Sequence, residues 1–205
     1  MKPLAYLAIL AGAYLLGSIP IGLLLSQMQK GIDIRHVGSG NIGATNVLRV
    51  LGKKAALITL IGDFLKGFAP AMIGQSLDFS DPWLALLALT PILGHVFPIF
   101  AGFRGGKGVA TAIGVLVVIM PWVALWAFVI WIVALLLWRY VSLSSILATL
   151  SVPLLAILLG EPHPFVYMGI AVATLILYRH KANMSRLAAG TENRLGAKSL
   201  SRTAR

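Results

Sequence analysis

Three short stretches of this chain gather residue types that bind anions. The first runs Gly38-Ser39-Gly40-Asn41-Ile42-Gly43-Ala44-Thr45-Asn46, with Arg49 three residues on. Small residues let a backbone come close to a ligand, and successive N–H groups in a glycine-rich turn form an anion cradle. Ser39, Asn41, Thr45 and Asn46 add neutral hydrogen-bonding groups, and Arg49 adds a guanidinium that grips an oxyanion with two parallel bonds. The second runs Phe103-Arg104-Gly105-Gly106-Lys107-Gly108 into an apolar run from Val109. It has the form of a phosphate loop ahead of a helix, whose positive dipole end favours an anion. It lacks the glycine spacing and the Lys-Ser/Thr pair of a Walker A motif. The third runs from Arg179 and His180 through Asn183 to Arg186. On a continuous helix His180 and Asn183 share a face, with the two arginines on an adjacent one.

Each stretch also has a plainer reading. The first is then a flexible loop, the second a basic anchor at a helix end, and the third a basic cluster that attracts anionic lipid. Further groups stand outside them. Ser142, Ser144 and Ser145 open an apolar run, where a serine caps a helix or, as Ser145, meets substrate. Asp63 and Lys66 sit three apart inside an apolar span and read as an ion pair facing the bundle. His95 reads as a buried structural histidine, some three turns from the basic loop. Several chemistries are missing. There is no cysteine, no Gly-x-Ser-x-Gly elbow, no His-x4-Asp acyl-transfer arrangement and no His-Glu-x-x-His metal signature. Asp33 and Glu192 are the cytoplasmic loop carboxylates, so a catalytic carboxylate pair is not expected.

The elements that carry these groups belong to a membrane. Of 205 residues, 59% are hydrophobic and only 11% charged, with a mean hydropathy of +0.90. A soluble domain carries about 25% charge. A cytosolic enzyme, a coiled coil and a disordered chain are excluded, and a single bundle is expected. Apolar runs of about 20 residues mark spans. They predict an all-α bundle of seven transmembrane helices over 4–26, 55–75, 83–103, 109–120, 122–138, 143–160 and 165–178. Pro121 divides the run 109–138, so the fourth helix crosses only part of the bilayer or tilts. A single domain over 1–195 is followed by a basic, flexible tail over 196–205. All 17 Lys and Arg residues except Lys2 and Lys66 fall on one side of this arrangement. The positive-inside rule then places the N-terminus outside and the C-terminus in the cytoplasm. The net charge of +11 is thus a matter of topology and anionic substrate rather than of nucleic acid. The three anion-binding stretches and the serines all lie on the cytoplasmic side. Together they describe a site for a phosphorylated solute, beside apolar helices that suit an acyl chain.

Three motifs in order carry a family resemblance. They are Gly-Ser-Gly-Asn-Ile-Gly-Ala-Thr-Asn-Val-x-Arg at 38–49, Gly-Gly-Lys-Gly-Val-Ala-Thr at 105–111 and His-x-x-Asn-x-x-Arg-Leu at 180–187. With Leu16-Gly17-Ser18, Asp63-Phe64-Leu65-Lys66-Gly67, Gly94-His95-x-x-Pro98 and Tyr140-Val141-Ser142-Leu143, the chain over about 4–187 resembles the bacterial acyl-phosphate:glycerol-3-phosphate acyltransferases of the PlsY type. The resemblance implies a seven-helix enzyme of the bacterial inner membrane with its site facing the cytoplasm. It implies transfer of an acyl group from acyl phosphate to the 1-hydroxyl of glycerol 3-phosphate, giving lysophosphatidic acid and phosphate. No cofactor or metal is implied. The partners implied are the two substrates, membrane lipid and the enzyme that makes acyl phosphate. Lys107, His180, Ser39 and Arg49 take the catalytic roles by this likeness. Gly40, Asn41, Gly43, Thr45, Asn46, Arg104, Gly105, Gly106, Gly108, Ser145 and Asn183 bind substrate or phosphate. The family often has Lys where this chain has Arg104. A direct attack by the glycerol hydroxyl, without an acyl-enzyme, suits a donor that is already a mixed anhydride. Two competing readings are a small transporter for an anionic phosphorylated solute and a non-catalytic subunit that holds anionic lipid.

Overall fold

A computed structural model describes residues 3–196. Lys2 and, apart from Gly196, the expected flexible tail lie outside the described residues. Among the described residues the regular structure is all helical. In chain order come α1 (Pro3–Gly17), α2 (Ile21–Lys30), α3 (Ala44–Leu51), α4 (Lys53–Ser76), α5 (Asp81–Val96), α6 (Val109–Ile119), α7 (Pro121–Trp138), α8 (Val141–Leu158), α9 (His163–Arg179) and α10 (Lys181–Ala188). Two short 3-10 turns, Ile34–His36 and Ile99–Ala101, lie in the connections.

Among the described residues five stretches are long and apolar enough to cross a membrane: Leu4–Lys30, Lys53–Ser76, Asp81–Ala101, Pro121–Trp138 and Val141–Leu158. α6 is apolar but has only 11 residues, about 16 Å of helix against a hydrocarbon layer of about 30 Å. Apolar side chains face outward as well as inward. Trp122, Trp126, Phe128, Leu136 and Leu137 of α7 are all exposed. Such a surface is stable against lipid and unstable against water.

Prolines set the breaks. The first apolar run is not one helix over 4–26 but α1 and α2, parted at Ser18-Ile19-Pro20. Pro20 brings no N–H to the ladder, and the Ser18 hydroxyl donates back to the Tyr14 carbonyl at 2.9 Å. The third expected helix stops at Val96 rather than Phe103. Phe97 precedes Pro98 and leaves the helical region, with φ −125° and ψ 65°, as a residue before proline does. Pro121 opens α7 at its first position, where a missing N–H costs nothing.

Glycines set the crossings. A Cβ built on Gly17 of α1 would collide with the Pro91 carbonyl of α5, and one on Gly94 of α5 with the Tyr14 carbonyl of α1. The α4–α6 contact is reciprocal in the same way, Gly67 meeting the Thr111 carbonyl and Gly114 the Phe64 carbonyl. Backbone lies directly on backbone at both crossings, as small residues permit between helices in lipid. The main core forms around Leu87, Ile92, Val115, Met120, Val123, Met168 and Ile176. A second, smaller cluster joins Leu23, Ile34, Ile42, Val47, Ala55 and Ala101 beneath the first glycine loop.

These crossings yield a test by thermal unfolding in detergent. Gly114→Ala forces α4 and α6 apart and costs about 1–3 kcal/mol. Gly12→Ala, at a helical position where a built Cβ meets nothing, gains about 0.5–1 kcal/mol instead.

Candidate active site

The first loop is built around one buried amide. Asn46 Nδ2 donates to the carbonyls of Val37 at 3.0 Å and Asn41 at 2.9 Å, and its Oδ1 accepts from the Ser39 N–H at 2.8 Å. Asn46 borders the cavity, but its amide is engaged with backbone. Three of the N–H groups expected in the cradle turn inward. Ser39 N–H points to Asn46, Gly40 N–H to the Val37 carbonyl at 3.1 Å and Gly43 N–H to Asn41 Oδ1 at 2.9 Å. The reason is local: a turn this tight satisfies these three donors itself. What it offers the cavity is the side chains of Ser39, Asn41, Thr45 and Arg49 and the start of α3. Upstream, the Asp33 carboxylate caps the 3-10 turn and grips Arg35, which holds Asp33 down at about 2.

The second loop is held from two sides. Arg179, at the end of α9, donates to the Gly106 carbonyl at 3.1 Å and the Gly105 carbonyl at 2.8 Å. Gly106 N–H donates to the His95 carbonyl at 3.0 Å, so His95 lies against this loop and not three turns away, because α5 ends at Val96 and the chain doubles back. Gly105 and Gly106 are buried in this clamp, while Lys107, Gly108 and the start of α6 border the cavity. Lys107 Nζ donates to Asn183 Oδ1 at 2.6 Å. Arg104 departs from expectation. It is exposed and borders a separate shallow depression with Gln27, Arg35 and Phe100. The tight turn at Phe103, with φ 60°, carries Arg104 to that other side.

The third cluster closes the site. α9 and α10 meet at His180, which is 2% exposed. Its Nδ1 lies 2.8 Å from the Ile176 carbonyl. A carbonyl only accepts, so Nδ1 carries the proton and Nε2 keeps a lone pair. Burial, with Lys107 nearby, pushes the imidazole down to about 4, and the ring is neutral at pH 7. Glu192 is the group that sequence reading missed. Its Oε1 accepts from Asn183 Nδ2 at 2.7 Å and from the Ser142 hydroxyl at 2.8 Å. Its Oε2 accepts from Arg186 Nε at 2.7 Å. Ser142 is therefore no helix cap. Ser144 and Ser145 bond back to the Tyr140 and Val141 carbonyls at 2.9 and 2.8 Å, and Ser145 also receives Trp131 Nε1 at 3.2 Å.

Cations outnumber carboxylates here. Burial, together with Arg186, Arg49 and Arg179, draws Lys107 down to about 8 against the opposing pull of Glu192. Burial pushes Glu192 up, but the bonds from Asn183, Arg186 and Ser142 outweigh it and leave the carboxyl below its ordinary value. All of this surrounds one cavity of about 480 Å³. Its polar mouth holds Ser39, Asn41, Thr45, Arg49, Lys107, His180, Asn183, Arg186 and Glu192. α3 and α6 both begin at the mouth and turn their positive ends to it. Its depth is mostly apolar, with Leu60, Ile113, Leu116, Phe128, Val152 and Val172, and the buried Asp63, His95 and Thr149 also border it. The arrangement suits a phosphate at one end and a hydrocarbon chain at the other. Among the described residues no cluster of His, Asp and Glu is fit to hold a metal ion.

A family model described as glycerol-3-phosphate acyltransferase matches residues 7–190. The glycerol-3-phosphate acyltransferase of Geotalea daltonii is 48% identical over 187 residues, covering 91% of this chain and 96% of the relative. A crystal structure of PlsY (YgiH), an integral membrane glycerol 3-phosphate acyltransferase in its glycerol 3-phosphate form, superposes with a TM-score of 0.90. It is 47% identical and is matched over 94% of this chain and 96% of that one. The lysophosphatidic acid form of PlsY gives 0.87 at 46% identity, with the same coverage.

The electrostatics can be tested without turnover. The Glu192 charge favours the Lys107 cation, so Glu192→Gln lowers the pH at which Lys107 loses its proton to below about 8. A chemical-shift titration of the Lys107 side chain reads this directly, and an unchanged or raised midpoint contradicts the arrangement.

Proposed function

The chain belongs to the glycerol-3-phosphate acyltransferase family, and on that premise we propose how its cavity carries out the transfer. It is an integral membrane enzyme that acylates glycerol 3-phosphate to lysophosphatidic acid. One observation carries the rest of the reading: a single cavity joins a cationic mouth, with a neutral histidine in it, to an apolar depth.

The donor is acyl phosphate, supplied by the enzyme that makes it. Its chain fits the apolar depth and its phosphate the mouth. The C1 hydroxyl oxygen of glycerol 3-phosphate attacks the acyl carbon. A new ester C–O bond forms, the bond from acyl carbon to phosphate oxygen breaks, and inorganic phosphate leaves. The leaving group is good enough that no acyl-enzyme is needed. Lys107 and Arg49 bind phosphate oxygens and meet the charge that develops on the leaving group. Ser39, Asn41, Thr45 and Asn183 fix the orientation of the substrates. His180 accepts the hydroxyl proton at Nε2, with Nδ1–H anchored on Ile176.

Seven crossings fit the helices: α1 with α2, then α4, α5, α6, α7, α8 and α9. The N-terminus is outside and the site faces the cytoplasm of a bacterial inner membrane. The collection of nearly all Lys and Arg on the site's side supports this orientation. Polar groups gathered at one end of the bundle, rather than at its middle, disfavour a transporter.

The test is phosphate release by the purified protein given palmitoyl phosphate, with and without glycerol 3-phosphate and with the lipid product checked by mass. Release that depends on glycerol 3-phosphate and yields lysophosphatidic acid is expected, and an absence of ester overturns the donor. Lys107→Ala inserts and folds but loses transfer, by roughly 10²–10³-fold for one charge-stabilising donor. The pH profile follows from the two shifted groups. The kcat/KM for glycerol 3-phosphate falls above about pH 8 as Lys107 becomes neutral, and Lys107→Arg moves that limb upward. On the acid side His180 keeps its lone pair down to about pH 4.

A further inference from the structure

A buried polar group lies against the second loop, and two of its members, Asp63 and His95, also border the cavity. Asp63 and Lys66 of α4 and His95 of α5 are 3%, 3% and 4% exposed. Lys66 Nζ donates to Asp63 Oδ1 at 2.8 Å, and His95 Nδ1 lies 3.5 Å from the same oxygen. An ionisable group inside a span is costly and calls for a reason, since a buried pair is a poor source of stability against an apolar replacement. The reason lies on the other edge of the imidazole. A Cβ built on Gly106 would run into Nε2 of the His95 ring, and one on Gly105 into the His95 carbonyl oxygen. The Gly106 N–H donates to that carbonyl. The Gly105-Gly106 backbone therefore rests on His95 with nothing between, and the next residue is Lys107.

We propose that His95, oriented by the Asp63–Lys66 pair, is a positioning residue for acyl transfer: its ring and carbonyl are the support that fixes where Lys107 stands in the cavity. The inference rests on the reading that Lys107 binds the phosphates. Arg179 holds the same two glycines through their carbonyls. The loop is thus gripped by its carbonyls from α9 and supported at its Cα positions by α5. A shift of about 1 Å at a binding group is enough to lower a rate by about 10²-fold, so a support of this kind is read directly in turnover.

The experiment is a double-mutant cycle in the full-length protein, with steady-state kinetics and thermal unfolding on every variant. Gly106→Ala drives a methyl into the ring and lowers kcat/KM about 10²-fold, with a raised KM for glycerol 3-phosphate. His95→Ala leaves the loop unsupported and also raises KM. In the double variant the methyl occupies space that the ring has left, and at least a tenfold recovery over Gly106→Ala is expected. Multiplicative losses, with no recovery, overturn the proposal. Should His95→Ala fail to fold, His95→Asn draws the side chain back from Gly106 and takes its place in the cycle. A second arm, Asp63→Leu with Lys66→Met, removes the charges together and keeps the packing. A raised KM at an unchanged unfolding temperature is expected, and wild-type kinetics overturn the role of the pair. Lys107→Ala separates the levels. If it stays active, the reading of the site fails. If it is inactive while the cycle shows no recovery, only this inference fails.

Discussion

Arg49, Lys107, Arg179 and Arg186 repel one another, and the Glu192 carboxylate stands among them with the opposite charge. Free side chains in water would move apart. Here they do not, because each is fixed to a different rigid piece: α3, the loop before α6, the end of α9, and α10. Burial first, and this repulsion after it, weakens the grip of Lys107 on its proton to about 8. The energy to assemble the cluster comes from folding, so a phosphate that enters relieves repulsion instead of having to organise it. That is the sense in which a charged site is preorganised. Much else in the molecule follows from this need for rigidity. Backbones meet without side chains at Gly17 with Gly94 and at Gly67 with Gly114, and contacts so close leave the helices little room to slide.

The location at one end of the bundle is a second consequence. A phosphate carries charge that the bilayer interior will not accept, and an acyl chain carries surface that water will not accept. One cavity with a polar mouth and an apolar depth satisfies both only at the boundary. Short elements make this possible. α6 begins with its positive end at the mouth and is over after 11 residues, and α9 and α10 hinge at His180 in the same layer. A full-length straight helix at either place would carry these termini away from the boundary.

The sequence made the three motifs legible because each is local: glycines beside hydroxyls, amides and cations within a dozen residues. The membrane class was legible because hydrophobicity needs no partner to be read. What could not be read was which atom bonds which. Asn46 looked like a ligand contact and proved to be the organiser of its own loop. Glu192 looked like a lone acid in a polar stretch, and its bonds to Ser142, Asn183 and Arg186 exist only once α8 and α10 are side by side. Arg104 reads as a phosphate-binding group beside Lys107, but the left-handed turn at Phe103 sends it elsewhere. Asp63 and Lys66 were legible as a pair at helical spacing. Their neighbour His95 was not, since it lies 32 positions on and meets them only because α5 packs on α4. Helix ends slipped where the break depends on a proline's effect on the residue before it, as at Phe97.

The order of the site residues along the chain has a biosynthetic meaning. Ser39, Arg49 and Lys107 come early, while His180, Asn183, Arg186 and Glu192 all come after α8. A ribosome delivers the helices of a membrane protein to the bilayer one after another. Throughout that time Arg49 and Lys107 are already in place, and the groups that orient and balance them are not. A chain that stops after α8 and short of Glu192 carries Arg49 and Lys107 without the carboxylate that sits between them and Arg186 in the finished fold. The last stretch of translation therefore completes the site.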